Sequence, residues 1–210
     1  FILTGIGDIY AEIHADEQAM HAYYMEEVLA DKTQEHFLQV YIKIQKALLA
    51  SNRKEFETSS DLFQQAFDLV GANGSEMEHH LIELEYSGVK IKENKAKDII
   101  SSLEKSCKFF KTGGHKVQYE KAHLFLALAY ISNNQPEKVI EHLLFVFSSL
   151  DSEYPNVALI SSASRFKKFL VNYSPDLLEK EYSHFIDQIN RFLEKLPALR
   201  RELRERAIAI

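Results

Sequence analysis

Positions 19, 59, 99 and 139 hold Ala19, Ser59, Ile99 and Val139, and the chain keeps the same beat of 40 residues around them. Twelve residues earlier stand Gly7, Ala47, Ser87 and Ala127, small every time. Two residues further on come Ile9, Leu49, Val89 and Ala129, all apolar. Four residues past the starting column come Tyr23, Phe63, Leu103 and Leu143, all bulky. Small, apolar and bulky columns held in one register over four copies mark a repeat array. One copy cannot bury its apolar face alone, so neighbours must stack. Arrays of this kind usually build an interaction surface rather than an active site.

Each copy reads as a helical hairpin, so the fold class is all-α. The pattern predicts helices near Ile2–Ile13 and Glu17–Leu29, with Asp16 as N-cap of the second. Copy two predicts Thr33–Ala50 and Lys54–Val70, then the break Gly71-Ala72-Asn73-Gly74-Ser75. Copy three predicts Glu76–Ile91 and Lys95–Lys111, then Thr112-Gly113-Gly114-His115. Copy four predicts Val117–Ile131 and Pro136–Leu150, with proline in a first helical turn, where its missing N–H costs nothing. After Tyr154-Pro155-Asn156, helices near Val157–Val171 and Pro175–Leu196 form a degenerate fifth hairpin. Glu179 falls there where the beat wants a small or apolar residue, as in a cap with a polar outer face. The expected organisation is a repeat domain over 1–196. Its copies are about 1–32, 33–74, 75–114 and 115–153, with the capping hairpin over 154–196. Pro197 breaks the pattern, leaving 197–210 as a basic linker helix.

Composition narrows the function classes. The net charge of −6 argues against a broad nucleic-acid-binding face. The charge is unevenly spread, net +3 from residue 191 onward against −9 before it. Such a tail reads as a solvated linker or a segment docked on the acidic body. The single cysteine, Cys107, forbids an internal disulfide and fits a reducing cytoplasm. No apolar run reaches the ~18 residues of a membrane span. The chain lacks an initiator methionine and starts inside a helical pattern, as expected of a piece of a larger protein.

The first copy carries Gly7-x-x-Tyr10 followed by Ala19-x-x-x-Tyr23, and the fourth carries Ala127-x-x-Tyr130 followed by Pro136, Val139 and Leu143. Copy two adds Ala47, Phe63 and Ala66; copy three adds Ser87 and Leu103. This arrangement resembles the tetratricopeptide repeat. The resemblance implies a right-handed α-α superhelix, a solenoid of about five hairpins. The longer unit is similar to the sensor arrays of large bacterial regulators, the maltose-activator type of signal-transducing ATPase. There a helical array follows a nucleotide-binding module and receives an inducer or an inhibitory protein. Leu196-Pro197-Ala198-Leu199-Arg200-Arg201 resembles the exit from such an array toward another domain.

Chemistry-bearing motifs are sparse. His79 and His80 are adjacent and point in different directions on a helix, His14 and His21 straddle a turn, and no metal site is expected. Cys107 reads as a small buried residue rather than a nucleophile. Neither Gly-rich break ends in the Lys-Ser/Thr of a phosphate loop. The carboxylate pairs Glu26-Glu27 and Glu83/Glu85 read as solvated helix faces. No catalytic residue, cofactor or metal ligand is assigned.

The tetratricopeptide resemblance implies that the first helix of each hairpin lines the concave side. The columns there are Thr4, Ile44, Leu84, Leu124; Asp8, Leu48, Gly88, Leu128; and Ala11, Ser51, Ile91, Ile131. Phe1, Tyr41, Leu81 and Lys121 form the rim. The expected interaction surface is Tyr41, Ile44, Leu48, Asn52, Leu84, Lys92, Leu124 and Leu128, mostly apolar. Either the superhelix is tight enough to bury it against itself or the C-terminal helices, or the groove accepts an apolar partner. The expected function is a non-catalytic regulatory array of a bacterial transcription regulator. Its expected partner is a protein or peptide, an apolar inducer or a second copy of itself. The alternative is a free-standing peptide-binding scaffold.

Overall fold

The computed structural model describes residues 2–71, 74–150, 156–173 and 178–208. Every regular element among them is a helix. In order these are α1 (Ile2–Glu12), α2 (Asp16–Thr33), α3 (His36–Asn52), α4 (Phe56–Val70), α5 (Glu76–Lys92), a 3-10 turn over Ala96–Ile99, α6 (Ile100–Thr112), α7 (Lys116–Ser132), α8 (Pro136–Leu150), α9 (Val157–Arg165), α10 (Lys167–Val171) and α11 (Glu179–Ile208). Phe1 of the expected rim, Ala72 and Asn73 of the first break, Tyr154-Pro155 and Pro175 lie outside the described residues. None of the described helices is long and apolar enough to cross a membrane.

The turns inside the first four helix pairs are built alike. His14, Lys54, Asn94 and Asn134 take left-handed backbone at φ 57, 66, 60 and 57°. The next N–H then reaches back five residues to close the preceding helix. Ala15 bonds Tyr10 O at 2.8 Å, Glu55 bonds Ala50 O at 3.0 Å, Lys95 bonds Lys90 O at 2.8 Å and Gln135 bonds Tyr130 O at 3.1 Å. Asn tolerates this conformation; His14 and Lys54 adopt it at a cost that the bonded turn offsets. The four positions stand 40 residues apart. At the start of α5, Ser75 accepts from Glu78 N while the Glu78 carboxylate takes Ser75 N, a capping box. Asp16 is not the N-cap expected of it. Ala15 holds that position, and Asp16 is the first helical residue, where its charge suits the helix dipole.

Packing follows the columns. Ala47, Ser87 and Ala127 are wholly buried, as are Tyr23, Phe63, Leu103 and Leu143. A Cβ on Gly7 would stand 2.5 Å from the Tyr23 ring, so only glycine allows α1 and α2 to close at that point. Leu49, Val89 and Ala129 are buried, whereas Ile9 on α1 is 55% exposed. One continuous apolar cluster runs from Leu84 on α5 to Ile189 on α11. Two smaller clusters lie toward the N-terminus.

Two expected elements differ. The helix read as Val157–Val171 is broken at Phe166, whose ring turns inward against Phe125 with centroids 5.6 Å apart. Pro197 does not end its helix; it lies inside α11. Its missing N–H deprives the Leu193 carbonyl of a donor, a local loss that tertiary contact outweighs here. Tyr182, Phe185, Ile189 and Leu196 are buried, and beyond the proline Arg200 Nε donates to Ile13 O at 2.7 Å. The basic segment is therefore docked on the body at this point. α11 packs on α9 and α10, while α3 meets α5, α5 meets α7, α7 meets α9, and α9 returns to α1.

Candidate functional site

Where α9 meets α1 the helices form a partly open cavity of about 90 Å³. Its wall takes Ala11 and Glu12 from α1, Gln45, Leu48, Leu49 and Asn52 from α3, and Glu85, Gly88 and Lys92 from α5. Lys121 and Phe125 come from α7, and Ser161, Ser162, Arg165 and Phe166 from the α9 end. Many of these residues fall in shared columns of the 40-residue beat. Glu12, Asn52 and Lys92 are one column; Gln45, Glu85, Phe125 and Arg165 are another; Leu48 with Gly88, and Lys121 with Ser161, supply two more. Gly88 lets α5 and α7 approach beside the cavity, since a Cβ there would stand 2.8 Å from the Phe125 ring.

The wall carries charge. Lys121 Nζ donates to both oxygens of Glu85, at 2.7 and 2.8 Å. Arg165 donates to Asp16 Oδ1 at 3.2 Å. Lys92 Nζ donates to Asn52 Oδ1 at 2.7 Å, a neutral partner, and sits 5.3 Å from the centre of the Phe166 ring. Burial, helped by the positive charges of Arg165 and Lys121, pushes the Lys92 ammonium down to about 8. Glu12 Oε2 is buried without a hydrogen-bond partner. Burial pushes the Glu12 carboxyl up, against the opposing pull of Ser161 and of the Lys121 and Arg165 charges.

The seam beside the cavity is polar. The last carbonyls of a helix have no partner inside it. Here distant side chains cap those of α1: Arg165 donates to Ala11 O at 2.5 Å, Ser161 to Glu12 O at 3.0 Å and Arg200 to Ile13 O at 2.7 Å. The two arginines also place positive charge at the negative end of the helix dipole. Ser164 gives its hydroxyl proton to Ser161 O at 2.7 Å, so His14 Nε2 donates in its 3.1 Å contact with Ser164 Oγ. Burial and the Arg165 charge push the His14 imidazole down to about 4, which keeps it neutral near pH 7.

The expected concave surface divides in two. Asn52, Lys92 and Leu48 do line the cavity. Ile44, Leu84, Leu124 and Leu128 are buried in the core and form no open groove. Tyr41 is half-buried, donates to Asp8 Oδ2 at 2.9 Å and stacks on Phe37, so it joins α1 to α3. The inner stripe runs through positions such as 41, 45, 48 and 52, whereas the expected stripe ran through 41, 44, 48 and 51. Two of the four columns were thus one residue out of phase. That slip replaced Gln45, Glu85, Phe125 and Arg165 by an apolar column, and it hid Glu12. The carboxylates read as solvated faces include three that are not: Glu85 and Glu27 are ion-paired and Glu26 is 4% exposed. Cys107 is buried as expected, and burial pushes its thiol up to about 11.

A second polar cluster lies between α7 and α8. His123 and His142 share a hydrogen bond between Nδ1 atoms at 2.9 Å, and His123 stacks on Phe145. Burial, then the His142 charge, pushes His123 down to about 4. Tyr130 donates to Glu104, and Lys138 sits over the Tyr130 ring. Among the described residues no group of three His, Cys, Asp or Glu side chains is placed to hold a metal ion. Compared with known proteins, the chain matches no family model, no curated protein and no solved structure.

Proposed function

We propose that this chain is a non-catalytic regulatory domain that receives a small effector in its inner cavity. In this reading it is a tetratricopeptide-like solenoid, a right-handed superhelix whose first and fifth hairpins meet. The recurrence of left-handed turns at residues 14, 54, 94 and 134 supports the repeat. The resemblance to maltose-activator-type arrays supports a place in a cytoplasmic bacterial transcription regulator. The observation that carries the reading is the inner cavity itself, which is open to solvent on one side. It is walled by five helices of different hairpins, holds a lysine whose one hydrogen-bond partner is neutral and is flanked by a polar seam. A peptide has no open concave face to lie on, since Ile44, Leu84 and Leu124 are core residues. An occupant that touches α1 and α9 together biases the seam, which is how a bound molecule acquires a regulatory effect.

The test uses the purified chain incubated with a small-molecule extract of cells and then desalted. Mass spectrometry should find a small compound retained by the wild type. It should be lost from Ser162→Phe, which fills the cavity. Hydrogen exchange around residues 11–16 and 161–165 should slow in its presence. No retained compound, together with tight binding of extended peptides by both proteins, would establish the scaffold alternative instead.

A further inference from the structure

The charges around the cavity match unevenly. Glu85 balances Lys121, and Asp16 balances Arg165. Among the described residues the Lys92 ammonium meets only the Asn52 amide oxygen and the Phe166 ring, so two of its three N–H groups have no acceptor. An ammonium left this way is costly to bury, and an anion of one charge is its natural complement. A dianion would overshoot that single charge and face Glu85 besides. Glu12 Oε2 lies buried and unpaired on the same wall. Burial pushes its carboxyl up, so it weakens as a competitor for the Lys92 charge. Ala11, Leu48, Leu49, Phe125 and Phe166 give the wall an apolar part, beside the polar Gln45, Ser161 and Ser162. A cavity of about 150 Å³ accepts benzene, so one of about 90 Å³ holds about four non-hydrogen atoms, and its open side leaves room for about one more.

We propose that the cavity is a binding site for a small monocarboxylate with a short apolar tail, its carboxylate on Lys92 and its tail against Phe125 and Phe166. This deepens the effector reading and rests on it. It replaces the expected apolar inducer by an amphipathic anion. The bound carboxylate completes the coordination of Lys92, and the tail also meets Ala11 of α1. The ligand thereby ties α5 to α1 and tightens the seam with α9.

Propionate and propionamide are the probes, being nearly equal in shape and different in charge. Binding is followed by NMR titration of the whole chain at constant ionic strength and pH 7. Propionate should bind at least tenfold tighter than propionamide. Lys92→Met should lose at least tenfold in propionate affinity while melting no lower than the wild type. Lys97→Met is the second variant: it removes an exposed lysine away from the cavity wall and should retain propionate binding within about threefold. The groups facing Lys92 are Asn52 of α3, Glu85 of its own helix, Lys121 of α7 and Arg165 of α9. Glu12 of α1 shares the cavity wall, and Asp16 of α2 pairs with Arg165. Because Lys92 loses its charge near pH 8, propionate affinity should fall about tenfold from pH 7 to pH 9. Equal binding of propionate and propionamide, full affinity in Lys92→Met, or no propionate binding to the wild type each overturns the proposal. A neutral compound retained from the extract would overturn the anion chemistry and leave the effector reading standing. If only peptides are captured, both fall together.

Discussion

Helix α7 and the α1–α9 seam are held by opposite materials. α7 buries nearly everything from Glu120 to Tyr130, and its contacts are mostly carbon: Leu124, Ala127 and Leu128 have no exposed surface. The seam is made of donors and acceptors, with Arg165, Ser161 and Arg200 closing the carbonyl end of α1. Carbon contacts have no outlet, because opening them returns apolar surface to water at about 25 cal/mol per Å². Polar contacts exchange for water at a net cost of about 0.5–1.5 kcal/mol each. A molecule built this way has an apolar spine through its middle and a seam whose contacts exchange more readily with water.

The largest effect should come from the spine. Leu124→Ala should destabilise the chain by about 2–5 kcal/mol in denaturant unfolding. A loss below about 1 kcal/mol would break the apolar half of the comparison. Next, Ala127→Leu and Ala47→Leu should each overpack their hairpin and lose about 1–3 kcal/mol. Unchanged thermal melts would show that the small columns are not contact points.

The cavity should respond with the opposite sign. Lys92 has a folded-state pKa below its unfolded value of 10.5, so the folded chain binds fewer protons between about pH 8 and 10.5. Wild-type stability should therefore rise with pH across that window, the cost of the buried charge being fully present below it. Lys92→Met should stabilise the chain at pH 7 by about 1–3 kcal/mol, and the gain should shrink toward pH 10. A variant less stable than wild type at pH 7 would mean that the lysine holds the fold together instead of waiting for a partner. A residue that costs stability and lines a cavity is what a binding site looks like energetically.

The same contrast explains what could be read in the sequence. The spine was legible because burial repeats: Ala47, Ser87 and Ala127 recur in one column, and Tyr23, Phe63, Leu103 and Leu143 in another. Helix ends were legible where glycine or proline marks them, as at Gly113-Gly114 and Pro136. Pro197 misled because its local cost is outweighed by Leu196 and Arg200, contacts that no local pattern announces. The left-handed turns at His14 and Lys54 carried no glycine or asparagine to reveal them. The seam joins residues about 150 to 190 positions apart, and hydrogen bonds of that reach leave no periodicity. Asn52 and Lys92 were found because they stood out as polar residues in an apolar stripe. Glu85 and Arg165 were missed because the stripe was drawn one residue away.

The smallest effect belongs to the contact on which the cavity depends. Asp16 and Arg165 meet at 3.2 Å across the seam. A double-mutant cycle with Asp16→Asn and Arg165→Met, measured by denaturant unfolding at low and moderate salt, isolates their coupling. A closed seam requires a favourable coupling of about 0.5–1.5 kcal/mol, partly screened by salt because the pair is only partly buried. Additive single-mutant losses, equal within about 0.3 kcal/mol to the double-mutant loss, would mean that α9 does not close on α1 in solution.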